Sequence, residues 1–457
     1  MDTLTTIIDT NMKEHRRGLI HEMFSRMKQY NVVAREMQGR KIRVSDDHWV
    51  IDFASCNYLG LDLDPEMEEW VGSSIKKWGI HPSWCRLVAS PYIYNELEER
   101  LADLLGTETT LVFPTVTLIS IGVIPALVGK GGVMFLDKSA HETMYEAAKI
   151  ARDSGATLVS FPQDDFQKLE ELLQVHRDNP RKVILVDGIY SMTGDYANIP
   201  LLSSLAQKYH AVVYVDDAHG FGVIGEKPDD IMPLGYKGNG LVRYFGSSYE
   251  NVIYVGGCSK AYSSLAAFVA CTDTLRTFLQ AFATPYDLSG PCPTASLATM
   301  LKGLDINNKR GDQLRKTLWA RTSEVIVGLR QLGFTVMNKT GYPIVSVHIG
   351  DTEELIETAN LLFDEGILVT VAPYPMMPKG SECHRITVTA ANTSAETDEL
   401  LATFAKVKKY LDEEGEHCVD IETSGMNQRE ENTMPGYSTV VLPSRTESKW
   451  PLERRLR

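Results

Sequence analysis

Between about residues 95 and 270, short apolar runs alternate with helical patterns, and this constrains the fold more than any other feature. The runs are TLVF (110–113), GGVMFLD (131–137), ATLVSF (156–161), KVILVDG (182–188), AVVYVDD (211–217) and NVIYVGG (251–257). Between most of them lie helical stretches: Asn95 to Leu105 ahead of the first run, then Glu142 to Ser154, Phe166 to Val175 and Leu201 to Tyr209. Strands this short, rich in Val, Ile and Tyr and separated by helices, imply a largely parallel sheet covered on both faces. The chain is expected to carry an α/β domain.

One stretch needs testing against a membrane reading. Thr110 to Gly129 has no charge for twenty residues, about the length of a bilayer span. Pro114 and Pro125 interrupt it and hydroxyl side chains dilute it, so a buried strand, a turn and a buried helix account for it better. No membrane span is expected.

Outside this region the pattern differs. Residues 11–38 carry Leu19, Ile20, Met23 and Met27 at helical spacing and read as an amphipathic helix, followed by the strand pair KIRV and WVIDFAS. After about residue 290 comes a long helical stretch from Thr294 to Gly333, interrupted at IleAsnAsnLysArgGly. Then follow FTVMN, YPIVSVHIG, a helix near 353–365, ILVTVA, HRITVTA and a last helix near 395–413, which suits a smaller α+β domain. The expected division is an N-terminal segment 1–60, a large domain 61–293, a small domain 294–413 and a polar extension 414–457 without a core of its own.

The formal net charge of −14 offers no global attraction for phosphate backbones, so nucleic acid is not an expected partner. Seven scattered cysteines, none in a C-x-x-C pair, suggest free thiols in a reducing compartment and neither a zinc site nor a redox motif. The N-terminus lacks a basic start before an apolar core. The expected location is the cytoplasm.

Ligands of parallel α/β sheets bind beyond the carboxyl ends of the strands. There the chain places Thr115 and Thr117 after TLVF, His141 after VMFLD, Asp187 and Ser191 after VILV, Asp216 and His219 after VVYV, and Ser259 and Lys260 after VIYVGG. Each has an ordinary alternative. A lysine past a strand can be a solvated helix start, and His141 or the acidic pair in VVYVDDAH can be helix caps. Lys260, however, precedes the uncharged run AYSSLAAFVA, where an ammonium would be desolvated as an imine-forming lysine requires. One cofactor uses all these parts together: pyridoxal phosphate. It needs a lysine for its aldehyde, an aspartate for its ring nitrogen, an aromatic neighbour, and a helix start for its phosphate.

The segments SCNYLGL (55–61), YSMTGD (190–195), VDDAHGFGVIG (215–225) and SKA (259–261) resemble the α-oxoamine synthases, a family of fold-type-I pyridoxal-phosphate enzymes. The resemblance runs in order from about residue 45 to 410. It implies a fold-type-I transferase with a large, mostly parallel domain and a smaller α+β domain. By position, Lys260 resembles the imine lysine, Asp216 the partner of the pyridinium nitrogen, His141 the ring-stacking residue and His219 the donor to the ring oxygen. The resemblance places Asp187 and Ser191 beside the ring. It places Val116 and Thr117 in the phosphate turn, with Ser259 next to the lysine. Arg385 matches an arginine that binds the amino-acid carboxylate, and Asn57 and Arg86 fall in segments facing the substrates.

The implied reaction joins an amino acid to an acyl thioester, on coenzyme A or a carrier protein, with loss of carbon dioxide. The implied assembly is a homodimer with its site at the interface, in which Ser289 would reach the neighbouring subunit's phosphate. Rival readings are an aminotransferase or C–C lyase, an enzyme using an unusual electrophile, a binding or regulatory protein without turnover, and a scaffold subunit. The intact Lys260, Asp216 and His219 argue against the last two.

The chain also departs from the family. Gly257 stands where a threonine is usual, AYSSLAAF replaces a glycine-rich run, and Cys56 replaces an asparagine. HisProSerTrpCysArgLeuValAlaSer (81–90) lacks the customary glycines, and Tyr94 replaces a histidine.

Overall fold

A computed structural model describes residues 2–14 and 16–417. Contacts gather Met1–Asp412 into one unit and Glu413–Arg457 into another, so the polar extension falls almost wholly outside the described residues. Thirteen strands among the described residues form two sheets. They are β1 (Glu36–Gln38), β2 (Lys41–Arg43), β3 (Trp49–Phe53), β4 (Thr109–Phe113), β5 (Val133–Asp137), β6 (Thr157–Phe161), β7 (Lys182–Asp187), β8 (Val212–Asp216), β9 (Val252–Gly257), β10 (Ala267–Cys271), β11 (Ile344–His348), β12 (Ile367–Ala372) and β13 (Cys383–Thr387).

The larger sheet has seven strands in the order β4-β10-β9-β8-β7-β5-β6. Every neighbouring pair from β9 to β6 is parallel, and β10 runs antiparallel to both its neighbours. Side chains alternate between two cores: Ile184 and Val186 enter one, Val183 and Leu185 the other. That is why these strands read as continuous apolar runs. TLVF became a buried strand, and the rest of the uncharged stretch became the helix Val116–Val128, with Pro125 in its last turn. No helix among the described residues is long and apolar enough to cross a membrane.

The smaller sheet has the order β1-β2-β3-β12-β13-β11 and is antiparallel except where β3 meets β12. The N-terminal strands thus share a sheet with the C-terminal third of the chain.

Three local readings change. Residues 11–38 are not one helix. Thr3–Glu14 and Arg16–Ser25 are helical, Ser25 Oγ then bonds back to the Glu22 carbonyl, and the chain turns into β1. Beyond the helix, Met27 is buried against Leu355, Ile356 and Ala359 of the helix Thr352–Asp364, so tertiary packing ends the repeat. The long helix from Thr294 is not broken at Asn307–Gly311 but widens there into a π-turn between Thr294–Ile306 and Asp312–Gln331. Asn307 holds that turn, donating to the Lys237 carbonyl at 2.9 Å and accepting from the buried Arg315 at 2.8 Å. A Cβ on Gly311 would lie 2.2 Å from Asn307 Oδ1, so only glycine fits. FTVMN contributes a single bridge, Val336 to Val347, and no strand.

A buried histidine in the smaller sheet makes stability depend on pH. His384 is fully buried; its Nε2 lies 2.8 Å from Thr358 Oγ1, its Nδ1 has no partner among the described residues, and burial pushes its pKa down to about 3. An unfolded histidine titrates near 6.5, so below that pH the unfolded chain takes a proton that the fold refuses. The stability is present above about pH 6.5 and is lost as pH falls toward 3. Between pH 7 and 5 this one group is expected to cost the fold about 2 kcal/mol. In denaturant titrations at the two pH values, His384→Leu should lose about that much less than the wild type. Equal losses in both proteins would show that His384 does not set the acid limb.

Candidate active site

Asp187 ends β7 and Asp216 ends β8, and the two are level with one another across the parallel pair. Topology therefore delivers two buried carboxyls side by side. His141 follows β5, the other neighbour of β7, and its backbone N–H donates to Asp187 Oδ1 at 3.0 Å. The residue also caps the helix Glu142–Asp153, its ring Nδ1 accepting from the Thr143 N–H. Cap and site are thus one residue in two uses.

Burial, and then Asp216 beside it, raise Asp187 well above the usual carboxylate range. Burial raises Asp216 too, but the Lys260 ammonium and the His141 ring pull it back, and the Ala218 N–H donates to its Oδ1 at 3.1 Å. The negative charge of the pair accordingly rests on Asp216. The other Asp216 oxygen has no hydrogen-bond partner among the described residues. His219 is buried, and burial followed by the charge of Lys260 holds it well below the usual histidine range. His141 stands exposed on one side; desolvation on its walled side lowers its pKa, with Asp216 opposing and Lys260 assisting.

Lys260 follows β9 in a turn closed by Ser263 N–H to the Lys260 carbonyl, and the adjacent Ser259 is exposed. Gly257 ends β9 with Ala218 and Val116 so close that a Cβ would lie 2.9 Å from the Ala218 Cβ and 3.1 Å from Val116 Cγ2. A larger residue at 257 would therefore need Ala218 or Val116 to shift. The same crowding joins the lysine strand, the aspartate loop and the start of Val116–Val128. Thr115 caps this helix by accepting from Leu118 N, leaving Val116 and Thr117 N–H groups that the helix itself cannot satisfy. The donor set fits pyridoxal phosphate: unsatisfied amides at a helix start for an anion, a buried carboxylate oxygen for a ring nitrogen, and a primary amine for an aldehyde.

The remaining predicted residues divide. Arg385, on β13, donates to the Ser191 carbonyl at 3.0 Å and contacts Cys56 Sγ at 3.5 Å, while its Nε is buried without a partner among the described residues. Arg86 is engaged within the fold. It donates to Glu98, the Val112 carbonyl and Ser90, and lies 3.7 Å over the Tyr94 ring. Ser289 shares a small pocket with Arg86, Tyr94, Pro114 and Tyr286, and its hydroxyl donates to the Pro285 carbonyl. Asn57 donates to Asp62 and accepts from Ser263, so both ends of its amide are occupied.

Two residues escaped the sequence reading. Tyr58, fully buried, places its hydroxyl 2.7 Å from His219 Nδ1. Asp217 points away from Asp216 and accepts from Leu241 N and Tyr254 Oη, each at 2.8 Å, and burial pushes its pKa up to about 7. Consecutive acids closing an apolar strand were a visible signal of opposed roles, since adjacent strand residues face opposite ways.

Comparison with known proteins bears on the same region. The model of the aminotransferase class I and II family matches residues 49–404. The chain belongs to that family, in its α-oxoamine synthase branch. It is 33% identical over 370 residues to the 8-amino-7-oxononanoate synthase of Thermoanaerobacter pseudethanolicus, covering 80% of this chain and 90% of the relative. Among solved structures, a serine palmitoyltransferase from Sphingomonas wittichii covers 90% of this chain and 99% of its own, with a TM-score of 0.80 at 22% identity. A high-resolution structure of SPT with PLP covers 90% of this chain and 100% of its own, with a TM-score of 0.78 at 24% identity. The last two establish the fold, a fold-type-I transferase.

Proposed function

We propose that the chain is a pyridoxal-phosphate-dependent acyltransferase. It condenses an amino acid with an acyl thioester, on coenzyme A or a carrier protein, releasing carbon dioxide, free thiol and an α-amino ketone. The observation that carries this reading is the meeting of Asp216, His219, His141 and the Lys260 turn beside the open helix start at Val116. The names of relatives about one-third identical over four-fifths of the chain favour condensation over transamination or C–C cleavage.

In this reading Lys260 Nζ would hold the aldehyde, and its amine is the group placed to move protons at the substrate α-carbon. Asp216 would hold a proton at the ring nitrogen, and His219 would donate to the ring oxygen. Bound there, the cofactor supplies an electron sink for charge developing at the α-carbon. His141 covers the ring face and orients the acyl carbonyl, with Asp187 fixing its backbone. Val116, Thr117 and Ser259 receive the phosphate, joined by Ser289 of the partner subunit. Arg385, braced by Ser191, offers its fork to the substrate carboxylate. Because Arg86 is spent on Glu98 and the aromatic rings, its part is to shape the substrate wall.

A second copy of the chain belongs to the reading. Ile80, Trp84, Leu87, Val88 and Tyr92 are exposed on one segment, with Leu288 exposed on the segment beside it. The two segments adjoin through Thr294 N to the Ile80 carbonyl and Cys292 N to Tyr94 Oη. Apolar surface of this kind, next to Ser289, suits burial in a homodimer. The seven-stranded sheet region 61–293 is proposed as the cofactor domain and 294–413 as the small domain. Six described cysteines, all free, suit a cytoplasmic setting.

The test is a matrix of amino acids against acyl-coenzyme A thioesters, read by thiol release and carbon dioxide. Thiol release that requires both substrates and matches carbon dioxide one to one is expected. Amine transfer to a keto acid in the absence of thioester would overturn the reading in favour of an aminotransferase.

A further inference from the structure

The turn that carries Lys260 holds a conformation its sequence does not favour. Ser263 has φ of +50°, left-handed backbone that a glycine adopts freely and a serine does not. It is also the residue whose N–H closes the turn on the Lys260 carbonyl, at 3.2 Å. The hydroxyl of this serine has a partner far away in the chain. Here Ser263 Oγ donates to Asn57 Oδ1 at 3.2 Å, across 206 residues of sequence.

The orientation of Asn57 is dictated from its other end. Asn57 Nδ2 lies 3.0 Å from Asp62 Oδ2, and an ionised carboxylate only accepts, so the amide nitrogen must face Asp62. That leaves Oδ1 toward Ser263. Asp62 is fixed in turn by an ion pair with Arg40, a side chain 1% exposed. The segment around Asn57 is clamped on its far side as well. Ala390 N donates to the Tyr58 carbonyl at 2.7 Å, and a Cβ on Gly60 would lie 2.7 Å from that of Ala391. A rigid, charge-oriented amide therefore presents one acceptor to the lysine turn.

We propose that Asn57 and Ser263 form a latch that positions the Lys260 turn, so that Asn57 serves the lysine and not the substrate. Arg40 and Asp62 set the latch, and the hydroxyl holds the turn in its left-handed form with Lys260 facing Asp216. Asn57 and Ser263 are positioning residues; neither needs to touch the reacting atoms. The inference rests on the reading of Lys260 as the amine that captures the cofactor's aldehyde.

The experiment compares wild type, Ser263→Gly, Ser263→Ala, Asn57→Ala and the double variant Asn57→Ala/Ser263→Ala. For each, the rate at which cofactor-free protein takes up pyridoxal phosphate is followed by absorbance, and borohydride trapping with peptide mapping confirms Lys260 as the attachment point. The single variants should capture the aldehyde about three- to tenfold more slowly, the worth of one neutral hydrogen bond. The double variant should be no slower than either single, as expected for partners in one contact. Ser263→Gly should melt no lower than wild type in the cofactor-free state, because glycine relieves the backbone while removing the latch.

Unchanged capture rates in the single variants, or a double variant whose losses multiply, would overturn the latch. So would Asn57→Ala raising the amino-acid KM at an undiminished capture rate, which would return Asn57 to the substrate. Wild-type protein that captures no aldehyde at Lys260 fails differently: that result removes the cofactor reading itself.

Discussion

Lys260→Ala should abolish turnover while leaving the fold intact. Its ammonium makes no hydrogen bond among the described residues, although it lies near enough to shift Asp216, His141 and His219. Truncation is therefore expected to leave the fold in place but to lower its stability somewhat, because it removes the charge that offsets the buried Asp216 carboxylate. The function of the same nitrogen is singular. Among the described lysines, Lys260 is the one that contributes to the electrostatics of Asp216. A positioned acid–base group is worth about 10²- to 10⁴-fold, and a loss at the upper end, about 10⁴-fold in thiol release, is expected. Far-ultraviolet dichroism of the cofactor-free proteins should coincide, with the variant melting lower at pH 8, where Asp216 loses its offsetting charge. After borohydride reduction and gel filtration, the near-ultraviolet absorbance of covalently attached cofactor that wild type keeps should be missing from the variant. A variant retaining more than about one-hundredth of wild-type turnover would assign the proton transfers to another residue.

The parallel half of the fold was legible because it obeys one rule. Strands buried on both faces must be apolar throughout, so VMFLD, VILVD and VVYVD stand out without alternation, and the helices between them carry the opposite signature. β10 broke the rule. Its AFVAC was absorbed into the apolar surroundings of Lys260, and nothing local announced that it would return antiparallel between β4 and β9. The helical repeat before β1 misled for the converse reason. Met27 keeps its place in the period, yet it is buried by the helix Thr352–Asp364, more than three hundred residues away. A π-turn is similarly invisible in a period count, since Asn307–Gly311 remains helical while shifting the register.

The site divides along the same line. Asp187, Asp216, His141 and Lys260 follow strand ends, and topology alone converts those positions into proximity. What stayed hidden were partners from distant segments. Tyr58 meets His219 across 161 residues and Asn57 meets Ser263 across 206. Arg86 shows what a motif position leaves out, its partners within the fold. A motif position placed it at the substrate, but Glu98 on the helix Ile93–Leu105 and two tyrosine rings claim its guanidinium. A buried arginine takes the nearest carboxylate because leaving it unpaired is costly.

Asp216→Asn should separate binding from chemistry and stability from activity. The substitution keeps the shape and keeps an oxygen to accept from Ala218 N, but removes the negative charge. Burial raises the Asp216 pKa in the fold, so relative to the unfolded chain the carboxyl favours its neutral form. A raised carboxyl contributes stability that is fully present below the unfolded value, near 3.9, and lost as pH rises through the folded one. At pH 7–8 the ionised, buried Asp216 is therefore a cost to the cofactor-free protein, only partly offset by Lys260 and His141. The asparagine variant should melt higher than wild type at pH 8, and the difference should shrink as pH falls toward 4. Activity should move the other way. A charge that loses its buried partner costs about 3–5 kcal/mol, which at 1.36 kcal/mol per decade is a loss of about 10²- to 10⁴-fold in turnover. Lys260 remains, so covalent capture of the aldehyde should persist, in contrast to Lys260→Ala. A variant that captures the aldehyde and turns over within about tenfold of wild type would show that the charge of Asp216 does not hold the ring proton. A variant less stable than wild type at pH 8 would show that Lys260 and His141 more than offset the burial of the carboxylate.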